Sequence, residues 1–191
     1  WAAIAAWPVF EAQTVEATPD PGRTFTVLVL DDSGSMGNDI EAAKNAVVAA
    51  LDAMDPADRV AVIGLNTGEI LPFFTVSEAR AALPGLLEAV ESDGGTPLTR
   101  AIMASRAALE GEAAVAGGFG TYRILVTTDG RADDERALAD AIEDLARTTP
   151  IQIATVGVGI RGNHVLRRPD LASFVEIDDV GELEAALRDA I

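Results

Sequence analysis

The chain has no cysteine and a single histidine, His164, among its 191 residues. Zinc sites built on Cys and His, iron–sulfur clusters and thiol redox chemistry are therefore excluded by inventory, and any metal has to be bound through oxygen. The missing cysteines leave the compartment open, because a disulfide-free protein is stable in reducing and oxidising surroundings alike. Basic residues are scarce too: 14 Lys and Arg stand against 31 Asp and Glu, a formal charge of −17. That balance argues against nucleic acid as a partner, since binding it draws on Lys and Arg to neutralise phosphates. An anionic membrane surface is disfavoured for the same reason. The apolar run Trp1-Ala-Ala-Ile-Ala-Ala-Trp-Pro-Val-Phe10 covers ten residues, half of the roughly 20 that span a bilayer. It reads either as the trimmed end of a signal or anchor segment, with small residues Ala3 and Ala5 resembling a signal-peptidase neighbourhood, or as an arm packing on the domain. Contact with a membrane is expected only through such an N-terminal anchor.

What is present suits one globular domain. Hydrophobic residues make up 49% and charged residues 24%, ordinary proportions for a chain with a core. The polar stretch from Glu11 to Arg23 contains Thr18-Pro-Asp-Pro-Gly22, which breaks regular structure. It divides an arm and linker over residues 1–23 from a domain over 24–191. In the domain, β-branched apolar runs predict buried strands at Thr24 to Leu30, Arg59 to Leu65, Tyr122 to Thr127 and Ile151 to Val156, with a weaker one at Phe174 to Ile177. Ile70 to Phe74 follows Leu65 so closely that an antiparallel hairpin is expected, with Pro72 marking an edge strand. Helical patterns fall at Asn38 to Met54, from a Ser77 cap to about Val90 with an interruption at Pro84-Gly85, from Thr96-Pro97 onward, at Asp133 to Arg147 and at Glu182 to Ala190. The alternation predicts a Rossmann-like α/β fold: an open, mostly parallel six-stranded sheet with one antiparallel edge strand and helices on both faces. Its ligand site is expected at the carboxyl ends of the strands.

Three polar clusters sit at such ends or at a helix entrance: Asp31-Asp-Ser-Gly-Ser35, Gly94-Gly-Thr-Pro-Leu-Thr99 and Thr127-Thr-Asp-Gly130. Asp31, Ser33, Ser35, Thr96 and Asp129 together present two carboxylates and three hydroxyls, a donor set for a hard cation such as Mg²⁺ or Ca²⁺. Two carboxylates with neutral hydroxyls leave residual positive charge to attract an external carboxylate. Taken singly, each cluster is also explained as turn residues and helix caps; their coincidence at three strand and helix ends is not.

The run Val29-Leu-Asp-Asp-Ser-Gly-Ser-Met36 resembles the Asp-x-Ser-x-Ser loop of von Willebrand factor A domains, and the resemblance extends over roughly Thr24 to Ile191. In that family a metal-ion-dependent adhesion site is completed by a Thr in a second loop and an Asp in a third, which Thr96 and Asp129 match in order and context. The resemblance implies a complete site of bacterial type. Ser33, Ser35 and Thr96 would offer hydroxyl oxygens, Asp31 and Asp129 would act directly or through water, and an Asp or Glu carboxylate of a protein partner would fill the vacant position. Asp39 matches an acidic position that helps hold a second cation in integrin β-type domains, but an acid at a helix start is also favoured by the helix dipole. Asp32 is expected to face solvent.

Other motifs are weaker. An EF-hand loop beginning at Asp31 would need Gly where Met36 stands and Glu where Ala42 stands. Gly157-Val-Gly-Ile-Arg-Gly162 fits a dinucleotide fingerprint literally, yet too few residues follow before the next strand for a crossover helix. His164 with Arg161, Arg167 and Arg168 forms a basic island, read as a solvated loop or a contact patch for an acidic partner. Trp1 and Trp7 read as packing anchors. The functional expectation is a noncatalytic, cation-dependent protein-binding module of the bacterial envelope, periplasmic or membrane-anchored outside the cytoplasm. The alternatives from the same resemblance are an accessory factor in maturation or calcium insertion of a periplasmic enzyme such as methanol dehydrogenase, or a partner of an AAA+ chaperone. A metal-dependent hydrolase would still want a positioned base and a substrate pocket.

Overall fold

The computed structural model describes residues 22–160 and 162–191. The Trp1–Phe10 arm, most of the linker and Arg161 lie outside the described residues. Six strands, β1 (Thr24–Leu30), β2 (Arg59–Gly64), β3 (Gly68–Thr75), β4 (Thr121–Thr128), β5 (Gln152–Val158) and β6 (Ala172–Ile177), form one sheet in the order β3-β2-β1-β4-β5-β6. All neighbours are parallel except β2 and β3, whose antiparallel pairing carries a register shift around Val62. Pro72 lies on that edge strand, where its missing N–H leaves no ladder bond broken. Among the described residues are five α-helices: α1 (Ile40–Ala50), α2 (Val76–Leu87), α3 (Leu98–Val115), α4 (Glu135–Thr148) and, after β6, α5 (Leu183–Ala190).

The nearly continuous apolar strands are explained by burial on both faces. In β1, Phe25, Val27 and Val29 pack toward α3 and α4 with Ile102, Leu109 and Leu138. Leu28 and Leu30 point the other way, into a core with Val47, Leu83 and Leu187 from α1, α2 and α5. Helix α4 buries Leu138, Ile142 and Leu145, spaced at one face of a helix.

Two local expectations need correction. Strand β3 runs beyond Phe74, so α2 is capped by Thr75 and not by Ser77: Thr75 Oγ1 accepts from Glu78 N at 3.3 Å while Thr75 N donates to Glu78 Oε2 at 3.0 Å. This reciprocal pair satisfies two helix-start donors. Pro84 lies inside α2 without ending it.

The sheet order reverses between β1 and β4: from β1 the chain winds outward through β2 to one edge, and from β4 through β5 to the other. At that switch point, outside the carboxyl ends of β1 and β4, lies the crevice in which sheets of this kind bind ligands.

Candidate metal centre

Asp31 follows β1 directly and is fully buried. Its Oδ1 accepts from Ser33 N at 2.9 Å and its Oδ2 from Thr128 Oγ1, at the end of β4, at 2.6 Å. Burying a carboxylate is costly unless hydrogen bonds hold it; here they also aim it. The next turn, a 3-10 stretch from Gly34 to Asp39, presents Ser35 toward the loop after β4. Ser35 Oγ donates to Asp129 Oδ1 at 2.7 Å. With that proton committed, the 3.0 Å contact between Ser33 Oγ and Ser35 Oγ has Ser33 as donor.

Thr96 arrives from the loop before α3. A methyl group placed on Gly130 would stand 3.4 Å from Thr96 Oγ1 and 3.9 Å from Ser35 Oγ, so both hydroxyls lie close to the residue that follows Asp129. The structure thus brings Asp31, Ser33, Ser35, Thr96 and Asp129 to one end of the β1/β4 crevice. Thr96 does not cap α3 through its side chain, since Pro97 occupies the cap position. Its hydroxyl makes no hydrogen bond among the described residues.

This donor set fits a hard cation. Burial pushes the Asp129 carboxyl above its ordinary value, the hydroxyl of Ser35 opposes that, and the charge of Asp31 adds to it. A positive charge between the two carboxylates would relieve the repulsion. No cluster of three or more His, Cys, Asp or Glu is placed to hold a metal among the described residues, and the candidate set relies on hydroxyls instead, as Mg²⁺ and Ca²⁺ allow. Asp39 is exposed at the end of the 3-10 turn, and its charge raises the Asp129 carboxyl only as the smallest contribution.

Three residues around the site carry more than the sequence reading gave them. Asp32, expected to face solvent, is fully buried: Oδ1 accepts from Asn66 N at 2.7 Å and Oδ2 from Thr67 N at 2.9 Å. It ties the β2–β3 turn to the site, and Gly64 leaves it room, since a Cβ there would lie 2.6 Å from Asp32 Oδ2. Asn66 Nδ2 in turn donates to Gly95 O at 2.9 Å, close against Gly94, whose φ of +77° favours glycine. Asp133 Oδ1 accepts from Thr96 N at 2.9 Å and Asp133 N donates to Thr96 O at 3.1 Å, clamping the second loop to the third. His164, expected in a solvated loop, is buried with Nε2 3.0 Å from Gly130 O. An acidic residue beside strand-end serines, or a histidine in a glycine-bearing loop, carries no sequence signal that its partners lie in other loops.

The basic island is also revised. Arg167 pairs with Glu176 at 2.5 Å and lies over the Phe174 ring, while Arg168 pairs with Glu143 and Asp170. Its described arginines are neutralised within the domain. At the dinucleotide-like glycines, Gly157 abuts Phe174, 2.6 Å from where a Cβ would stand, so this glycine serves strand packing.

The family model of the von Willebrand factor type A domain matches residues 26–132, more than half of the chain. The chain belongs to the von Willebrand factor type A family. Similar solved structures include a von Willebrand factor type A protein from Catenulispora acidiphila, 20% identical with a TM-score of 0.72, covering 88% of this chain and 42% of that one. Manganese-loaded TRAP from Plasmodium vivax is 17% identical with a TM-score of 0.62, covering 88% and 74%. The pilus adhesin SpaC from Lactobacillus rhamnosus GG is 15% identical with a TM-score of 0.70, covering 88% and 30%. At these identities the likeness of this vWA domain to each is one of fold, and the chain spans less than half of the Catenulispora protein. None of the curated proteins matches it. No helix among the described residues is long and apolar enough to cross a membrane.

Proposed function

We propose that this vWA domain, residues 24–191 behind an arm over 1–23, is a noncatalytic protein-binding module. It captures an Asp or Glu carboxylate of a partner protein through a divalent cation, Mg²⁺ or Ca²⁺, at a metal-ion-dependent adhesion site. Asp31, Ser33, Ser35, Thr96 and Asp129 hold the cation, which supplies residual positive charge for the incoming carboxylate. The observation that carries this reading is the run of donors Ser33 Oγ, Ser35 Oγ and Asp129 Oδ1, linked at 3.0 and 2.7 Å across the β1/β4 crevice, with the unengaged hydroxyl of Thr96 beside it.

The chain's own residues orient the donors: Thr128 and Ser33 N fix Asp31, and Asp133 fixes Thr96. A hydrolytic role is disfavoured because both nitrogens of the only histidine are engaged by main-chain groups, leaving none free as a base. The manganese in the TRAP structure and the adhesin role of SpaC favour the same reading. The location that goes with this reading is the periplasm, or the outer side of a membrane.

Calorimetric titration of EDTA-stripped protein with Mg²⁺, Ca²⁺ and Mn²⁺ tests the site, with binding expected in the wild type. A biosensor assay against the native partner in Mg²⁺ and in EDTA tests its use. Partner binding that persists in EDTA contradicts the reading.

A further inference from the structure

We propose that His164 is a positioning residue that latches the Asp129 loop in place through the carbonyl of Gly130. The inference rests on the metal-centre reading and adds a control element to it. The ring's two partners leave one arrangement of protons. Leu166 N donates to Nδ1 at 3.2 Å, so Nδ1 carries a lone pair, and Nε2 carries the proton that it donates to Gly130 O at 3.0 Å. The imidazole is neutral and spans from the β5–β6 loop to the residue after Asp129.

The surroundings hold it there. His164 is 7% exposed and packs against Phe174 with ring centroids 5.7 Å apart. Phe174 itself lies against Gly157 and beneath the Arg167 guanidinium. The bond reaches across 34 residues of sequence and fixes the peptide that follows Gly130. On the other side, Asp129 Oδ1 meets Ser35. The loop is otherwise tethered near Asp129 by Thr128 Oγ1, whose 3.3 Å contacts to Gly130 N and O are long and which already donates to Asp31 at 2.6 Å. A hydrogen bond that orients a ligand-bearing group from behind typically governs metal affinity by 10–100-fold.

The test compares wild type with His164→Phe, which keeps the ring packing and removes the donor, and His164→Gln, which returns an N–H near the position of Nε2. Two measurements are made: Mn²⁺ affinity from the free-ion electron paramagnetic resonance signal, and amide hydrogen exchange of residues 129–133 in EDTA-stripped protein. The Phe variant is expected to bind Mn²⁺ about tenfold more weakly and to exchange faster in this loop, with the Gln variant restoring both. If the Phe variant fails to fold, His164→Asn, too short to reach Gly130, takes its place beside His164→Gln. Unchanged exchange in the donor-less variant, or an Mn²⁺ affinity in that variant equal to that of a wild type that binds the ion, overturns the latch. A wild type that binds no Mn²⁺ while loop exchange follows the expected pattern removes the metal-centre reading and leaves the latch standing.

Discussion

The two sides of the β1/β4 crevice are built differently. On the β1 side, the loop carrying Ser33 and Ser35 is joined to the loop before α3 by two main-chain bonds, Gly34 N to Gly94 O and Asp93 N to Asp32 O, and by the Ser92 hydroxyl, which accepts from Gly37 N and donates to Ser33 O. Asp32 adds the β2–β3 turn to that frame. On the β4 side, Asp129 and Gly130 are held mostly by side chains, Ser35, Thr128 and His164. The main-chain bonds of that frame survive most substitutions within it, because the bonding groups do not change with the side chain. A side-chain tether can be removed one residue at a time. The β1 side therefore fixes where the hydroxyls stand, and the β4 side sets how well the second carboxylate meets them.

The sharpest way to break this contrast is to remove Asp129. Asp129→Ala should lower cation affinity by more than about 100-fold, beyond what loss of an outer partner costs, while urea unfolding shifts little; calorimetry of stripped protein reads the first. An equal loss of stability would mean that Asp129 belongs to the frame. Asp32→Ala reverses the pattern. It leaves Asn66 N and Thr67 N without their buried acceptor, and should cost about 3 kcal/mol in urea unfolding. A cost under about 1 kcal/mol would show that the main-chain bonds suffice alone.

Thr96→Ala should weaken partner binding in Mg²⁺ while destabilising the fold by less than about 1 kcal/mol, since its hydroxyl caps nothing. The smallest expected effect concerns pH. Burial pulls His164 below its ordinary value of 6.5 against the opposing bond to Gly130, with Glu135 raising it and Arg167 and Arg131 lowering it. The unfolded chain therefore takes up the proton first. The neutral histidine's contribution is complete above pH 6.5 and is lost as pH falls through the folded-state value, by at most about 0.7 kcal/mol between pH 7 and 6. Unfolding curves at the two pH values should show this loss in wild type and not in His164→Gln.

The sequence carried the sheet because strands such as Thr24–Leu30 and Gln152–Val158 are buried on both faces and read as apolar runs. The site's donors were legible for a related reason: short oxygen-bearing motifs follow those strands directly. Their supports were not. Asp32 looks like any acid after a strand until the β2–β3 turn folds back against it, and His164 sits beside Arg167 and Arg168, whose charges are cancelled by Glu176 of β6, Glu143 of α4 and Asp170 of the same loop. The cap of α2 was misplaced because Thr75 is both the last residue of a strand and the first partner of Glu78, a double role that propensity alone does not separate.

Substoichiometric Mn²⁺ added to EDTA-stripped protein locates the cation by paramagnetic broadening of nearby amide resonances. With the ion at the β1/β4 crevice, signals of Ser33, Ser35, Thr96 and Gly130 vanish first and together, before those of the β2–β3 turn, and Asp129→Ala abolishes the effect at the same Mn²⁺ concentration. Broadening centred on another acidic stretch of the surface, or an unchanged pattern in Asp129→Ala, would contradict it.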